Sequence, residues 1–246
     1  MRATNVDNLK FFDSAFFVPV FNFRKFNTSL RTYGQNLEFN GNITLRIYKN
    51  DGNLIHQKIL NDNESSNFNK SYLFNISQEC EVLTLSPDTN YFIFLGFNGL
   101  KTSFPKRFKM GLNVNKKKVN LGTNICFGPL VQADKTLDKP LTRRWFPVGG
   151  ASNIIGTIHL TDFEKNPGLK STKISIEFIN TNGENLIRET ALSPNQSILI
   201  DSSNDLELAS FLNGKVGWCY VTASSYWIDA YYFITEHDQI GGDHAF

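Results

Sequence analysis

The feature that most constrains this chain is a strand of alternating character that ends in a tight-turn signal and occurs twice at a fixed spacing. In Ile43-Thr-Leu-Arg-Ile-Tyr48 the residues Ile43, Leu45 and Ile47 fall on one face, and Thr44 and Arg46 on the other. A period of two is the signature of a strand with one face on a core. The segment runs into Asn50-Asp51-Gly52-Asn53 and resumes as Leu54-Ile55-His56. Asp-Gly and Asn-Gly tolerate the positive φ of a primed hairpin turn. The same arrangement returns as Ile174-Ser-Ile-Glu-Phe178, Asn182-Gly183 and Leu186-Ile187, so that Ile43 to Ile174 and Gly52 to Gly183 are both 131 residues apart.

Further matches extend this spacing into a repeat of domain size. Phe17-Val-Pro19-Val resembles Trp145-Phe-Pro147-Val at a spacing of 128, and Cys80-Glu-Val-Leu resembles Cys219-Tyr-Val-Thr at 139. Tyr91-Phe-Ile-Phe94 resembles Tyr231-Tyr-Phe-Ile234, and Gly122-Thr-Asn-Ile-Cys-Phe127 resembles Gly241-Gly-Asp-His-Ala-Phe246 at 119. The expected organisation is all-β: two tandem antiparallel β-sandwich units, immunoglobulin-like or jelly-roll, related by internal duplication. The units cover 1–128 and 141–246, with a polar linker at 129–140. One helix is expected within Ser203–Leu212, closed by Asn213-Gly214.

Length and composition agree with this reading. A chain of 246 residues is one large domain or two small ones, and 22 Phe can fill two separate cores. Three cysteines, Cys80, Cys126 and Cys219, are too few and odd in number for a disulfide framework, so each reads as a small buried hydrophobe. The apolar stretch Phe11–Phe23 is too short to span a bilayer and lacks the layout of a signal peptide. It reads as a buried strand. No transmembrane segment or cleaved signal is expected, which suits a cytoplasmic chain or one exported without such a signal.

Three clusters are candidates for chemistry. The first is a basic segment, near 98–121, that the repeat spacing marks as an insertion of 20 residues in the first unit. It carries Lys101, Lys106, Arg107, Lys109, Lys116, Lys117 and Lys118 and no acidic residue, with Phe104 and Phe108 among them. Such a patch suits an anionic glycan or surface, or an acidic protein face. Residues 201–246 supply an acidic counterpart, with seven Asp or Glu against Lys215 alone. With a net charge of only +2, nucleic acid is not an expected partner.

The second cluster is Glu236, His237, Asp238, Asp243 and His244, where a Gly241-Gly242 turn could bring both imidazoles together on a divalent metal. The third is aromatic: Tyr226, Trp227 and Tyr231, with Tyr220 and Tyr232 nearby, as a platform for sugar rings. No phosphate loop, Gly-x-Ser-x-Gly elbow, His-Glu-x-x-His or Cys-x-x-Cys is present. The leading expectation is a non-enzymatic binding or structural module that associates with a protein, or with itself, and needs no cofactor. The alternatives are a metal-dependent enzyme using the C-terminal cluster and a carbohydrate-binding protein.

Overall fold

Turn residues and alternation divide the described residues into seventeen strands and two short helices, all strand pairs being antiparallel. The computed structural model describes residues 14–20, 25–32, 43–60, 73–87, 89–97, 110–117, 122–127, 131–132, 142–157, 171–224, 228–236 and 239–244. The first half holds β1 (Ser14–Val20), β2 (Phe26–Thr32), β3 (Ile43–Lys49), β4 (Leu54–Leu60), β5 (Leu73–Asn75), helix α1 (Ile76–Val82), β6 (Tyr91–Phe97), β7 (Met110–Lys116) and β8 (Gly122–Phe127). A two-residue strand, β9 (Val131–Gln132), follows. The second half holds β10 (Thr142–Val148), β11 (Ala151–Thr157), β12 (Thr172–Ile179), β13 (Asn185–Leu192), β14 (Ser197–Asp201), helix α2 (Leu206–Leu212), β15 (Gly217–Ala223), β16 (Ile228–Glu236) and β17 (Gln239–His244).

The strands form four sheets. Their orders are β4-β3-β6-β1-β9, β5-β2-β7-β8, β10-β15-β12-β13 and β14-β11-β16-β17. The first two enclose one apolar cluster, with Phe16, Val18, Ile47 and Ile93 from one sheet against Leu30, Leu112 and Val114 from the other. The last two enclose another, with Phe146, Ile176, Phe178 and Val221 against Ile155, Ile228 and Ala230. Strand order in the second half follows that of the first, strand for strand: β13-β12-β15-β10 after β4-β3-β6-β1, and β14-β11-β16-β17 after β5-β2-β7-β8. Registers correspond too. Pro19 lies opposite Phe92 on β6, and Pro147 lies opposite Trp218 on β15. Ile43 faces Phe97, and Ile174 faces Ala223. The first strand of each half pairs with a strand far along the chain, whereas an immunoglobulin order places the first strand beside the second.

Local signals account for the turns and helix ends. Gly52 and Gly183 take φ of 88° and 81° in the β3–β4 and β12–β13 hairpins. Glycine at 52 has a second reason, because a Cβ there would meet the Pro194 carbonyl oxygen at 3.0 Å. Each helix begins after an Asn75 or Asp205 cap, whose side chain accepts from the Gln78 or Leu208 N–H. α2 ends at Asn213 in the left-handed region. It is one turn shorter at its start than expected, because Asp201 draws Ser203 and Asn204 into a turn first.

Four sequence expectations change here. Cys80 lies in α1 while Cys219 lies in β15, so they do not hold matching places, although both are buried. Tyr91–Phe94 lies in β6, whose place in the strand order is that of β15, not of β16 with Tyr231. Met110–Lys116, expected inside a basic insertion, is β7, an interior strand of its sheet. Twelve residues (98–109) separate β6 from β7 where four (224–227) separate β15 from β16, so the extra length there is eight residues. Val131–Gln132, expected in the linker, pairs with β1 at Ser14 and Ala15. No helix among the described residues is long and apolar enough to cross a membrane.

The two halves meet directly. Tyr231 and Phe233 of β16, and Ile240 of β17, belong to the first apolar cluster and face away from the second. The Tyr231 hydroxyl donates to the Phe17 carbonyl at 2.8 Å, and the two rings lie 5.8 Å apart. Thr123 donates to the Gly242 carbonyl at 3.2 Å, and the Ser197 N–H to the Asn50 carbonyl at 3.0 Å. A buried hydroxyl and the carbonyl that it serves are costly to separate. Tyr231→Phe should lower stability by about 1–3 kcal/mol in urea unfolding; an unchanged midpoint would show that this bond contributes nothing to holding the halves together.

Candidate functional site

The outer face of the sheet β10-β15-β12-β13 gathers the largest exposed aromatic side chains among the described residues. Alternation in β10 turns Phe146 and Val148 inward, so Arg143, Trp145 and Pro147 face outward. In β15 Cys219 and Val221 point inward, so Trp218 and Tyr220 point outward. Pairing sets these residues in rows across the sheet. Arg143 lies opposite Thr222, which faces Ser175, which faces Glu189. In the next row Trp145 faces Tyr220, then Glu177, then Ile187. In the third, Pro147 faces Trp218, followed by Ile179 and Asn185.

Trp145 and Trp218 are 40% and 48% exposed, and Ile187 59%. The two indoles meet edge to face, with centroids 5.4 Å apart and planes at 65°. The Arg143 guanidinium sits 4.4 Å from the Tyr220 ring centroid, a cation–π contact that holds both side chains against the sheet. Glu177 accepts from the Asn185 side chain at 3.0 Å. The face is thus apolar and aromatic on the β10–β15 side and mixed on the β12–β13 side, where Glu177 and Glu189 stand with Lys173, Ile179 and Ile187, and Arg143 lies at one corner.

The corresponding face of the first half has another fate. Phe17 and Phe92 stand in the register positions of Trp145 and Trp218, and both are fully buried, as is Phe94 in the place of Tyr220. Phe17 and Phe92 lie 4.9 Å apart, and Phe17 packs on Tyr231 of the second half. Even Arg46 is buried there, held 5.4 Å from the Phe94 ring centroid and donating to Gln57 at 2.9 Å. This explains why Thr44 and Arg46, on the polar side of the alternation in β3, are not at the surface.

The candidates from sequence are distributed differently. Tyr231, expected in an aromatic platform, is fully buried with its hydroxyl satisfied, so it offers no ring face to a ligand. Tyr226 and Trp227 lie outside the described residues. Of the basic segment, Lys101, Lys106, Arg107, Lys109 and Lys118 lie outside them as well. Lys116 ends β7 and Lys117 follows it in a turn, where it pairs with Glu81 on α1, which partly neutralises it. His237 and Asp238 are also outside, and only the backbone of Glu236 is described. Asp243 and His244 lie side by side on β17, with Asp243 Oδ1 2.8 Å from His244 Nδ1. No group of three or more His, Cys, Asp or Glu close enough to hold a metal is found among the described residues. Burial pushes the Cys80 thiol up to about 12, helped by Glu79 and Glu81, and raises that of Cys219 as well. Neither is a nucleophile at neutral pH.

The sequence reading missed Trp145 and Trp218 as a pair. Their outward direction is legible from alternation, but the β10–β15 pairing that joins them spans more than seventy residues of chain. It missed Asp229 too. This carboxylate is buried on β16, 3.9 Å from the Arg144 Nε, and accepts the Ala230 N–H at 2.9 Å. Burial raises its pKa; Arg144, the Ala230 N–H and His244 pull it back only in part.

No family model, no curated protein and no solved structure matches this chain.

The sign of the Asp229 shift sets a pH dependence. Above the ordinary aspartate value of 3.8, the unfolded chain releases this proton while the native state still holds it, so stability falls as pH rises towards the native value. Asp229→Asn removes that contribution. The wild-type-minus-variant difference in urea midpoint should therefore decline as pH rises above about 4 and stay level below it. A difference that climbs with pH would instead show that attraction to Arg144 outweighs burial.

Proposed function

We propose that this chain is a non-enzymatic protein-binding module of two β-sandwich units related by internal duplication, covering 1–128 and 141–246, with the second unit carrying the binding face. The recurrence of strand order, of cross-strand register and of a capped helix after the fifth strand supports the duplication. The observation that carries the binding reading is the exposure of Trp145 and Trp218 at positions whose counterparts in the first half, Phe17 and Phe92, are buried. A sheet face of this kind is therefore one that this architecture covers with protein when it can.

Its chemistry favours a protein over the other candidates. Trp, Tyr and Arg are the residues that dominate binding energy at protein interfaces. Indoles at 65° to each other do not present one flat platform for a sugar ring, and Glu177 and Glu189 balance Arg143 and Lys173 on the same face, so it has no net attraction for an anionic glycan. Trp145→Ala and Trp218→Ala should each cost about 1–2 kcal/mol, because about half of each side chain is covered and the indoles touch, while circular dichroism should show the fold retained.

A photo-crosslinking residue at position 145 should give protein adducts in the protein's native setting, and adding Trp218→Ala should reduce them several-fold. Glycan-array binding that is abolished by both alanine substitutions, with no protein adduct, would replace this reading with a carbohydrate-binding one.

A further inference from the structure

We infer that the partner of the Trp145–Trp218 face is the same face of a second copy of this chain, related by a two-fold axis that runs along the strands between β15 and β12. This rests on the protein-binding reading and names its occupant. Two copies packed face to face about such an axis keep each row in place and reverse the order of strands within it. β10 of one copy then lies over β13 of the other, and β15 over β12. The rows of this face are complementary to themselves under that operation.

Arg143 meets Glu189 of the second copy at both ends of the row, giving two equivalent ion pairs. Trp145 meets Ile187, apolar on apolar, and Trp218 meets Ile179. Tyr220 meets Glu177, a hydroxyl donor over a carboxylate. Arg143 and Glu189 are both exposed and form no ion pair within the chain among the described residues, so each is available across the interface. The other in-plane two-fold axis, perpendicular to the strands, places Glu177 over Glu177 and removes the partner of Arg143. Like charges at close range disfavour it.

Sheet-on-sheet packing is also what this chain already does with the corresponding face of its first half, where Phe17 is covered by Tyr231. Four strands about 4.8 Å apart and some seven residues long give roughly 450 Å² of flat face per copy. That is at the small end of specific interfaces, so the dimer should be weak, with a Kd in the micromolar range.

The test is charge exchange read by sedimentation velocity, using the full chain at concentrations up to about 200 µM. The wild type should pass from monomer to dimer as concentration rises. Arg143→Glu alone and Glu189→Arg alone should each weaken association about tenfold or more, because two contacts become repulsive in each dimer. An equimolar mixture of the two variants should recover wild-type association as a heterodimer. The carboxylate introduced at position 143 of one variant then meets the guanidinium introduced at position 189 of the other, and the native Arg143–Glu189 pair forms at the opposite end of the row. Circular dichroism identical to wild type keeps misfolding from mimicking the loss. A wild type that stays monomeric, single variants that dimerise unchanged, or a mixture no better than its components would each overturn this arrangement. Photo-adducts with a different protein beside a monomeric wild type would overturn self-association and leave the protein-binding reading standing. Absence of any protein adduct would overturn that reading itself.

Discussion

Burial of a single interior strand in each half holds the architecture together. β6 pairs with β1 on one side and β3 on the other, and all seven of its residues, Tyr91–Phe97, are buried. β15 has the same two neighbours in the second half, β10 and β12. Each of these strands joins the first strand of its half to the hairpin that follows, across tens of residues of chain. The closure entropy of such loops grows only slowly with length, while the apolar surface removed from water grows with every residue in register. Without β6 there would be no sheet for β1 to join, and no surface on which Tyr231 could dock.

The two halves then diverge through what covers the outer face of that sheet. In the first half it is buried over β1, β6 and β3, with Phe17, Phe92 and Phe94 packed away and one side closed by β16 of the second half. In the second half the corresponding positions are Trp145, Trp218 and Tyr220, with Arg143 and two glutamates around them. Phe has no polar atom and suits permanent burial. Trp and Tyr carry a donor that can face water, and so suit a surface that is wet in one state and dry in another. The residue types therefore agree with the different exposure of the two faces.

Several sequence expectations fail for one shared reason: similarity of short segments does not reveal which strands are neighbours. Cys80 and Cys219 look alike in local sequence but sit in a helix and a strand. Tyr91–Phe94 and Tyr231–Ile234 are both aromatic-rich strands, yet one is interior to the leading sheet and the other lies between two cores. Tyr231 resembles a ligand platform in local sequence because its burial depends on a carbonyl 214 positions away, and nothing local records it. The basic segment resembles a single loop because alternating Met110, Leu112 and Val114 are hidden among lysines and asparagines.

The sequence by itself determined strands such as β1, β3, β10 and β12, the glycine and asparagine turns of the β3–β4 and β12–β13 hairpins, the capped helix α2, and which side of the alternating strands is apolar. These are local properties, set by backbone conformation and by a side-chain period of two. Only the tertiary structure decided which polar sides stay at the surface. Arg46 is buried and Trp218 exposed, although alternation assigns both to the outward side. Outward is defined by a strand's own sheet, but solvent exposure depends on whether another layer, drawn from a distant part of the chain, packs on top.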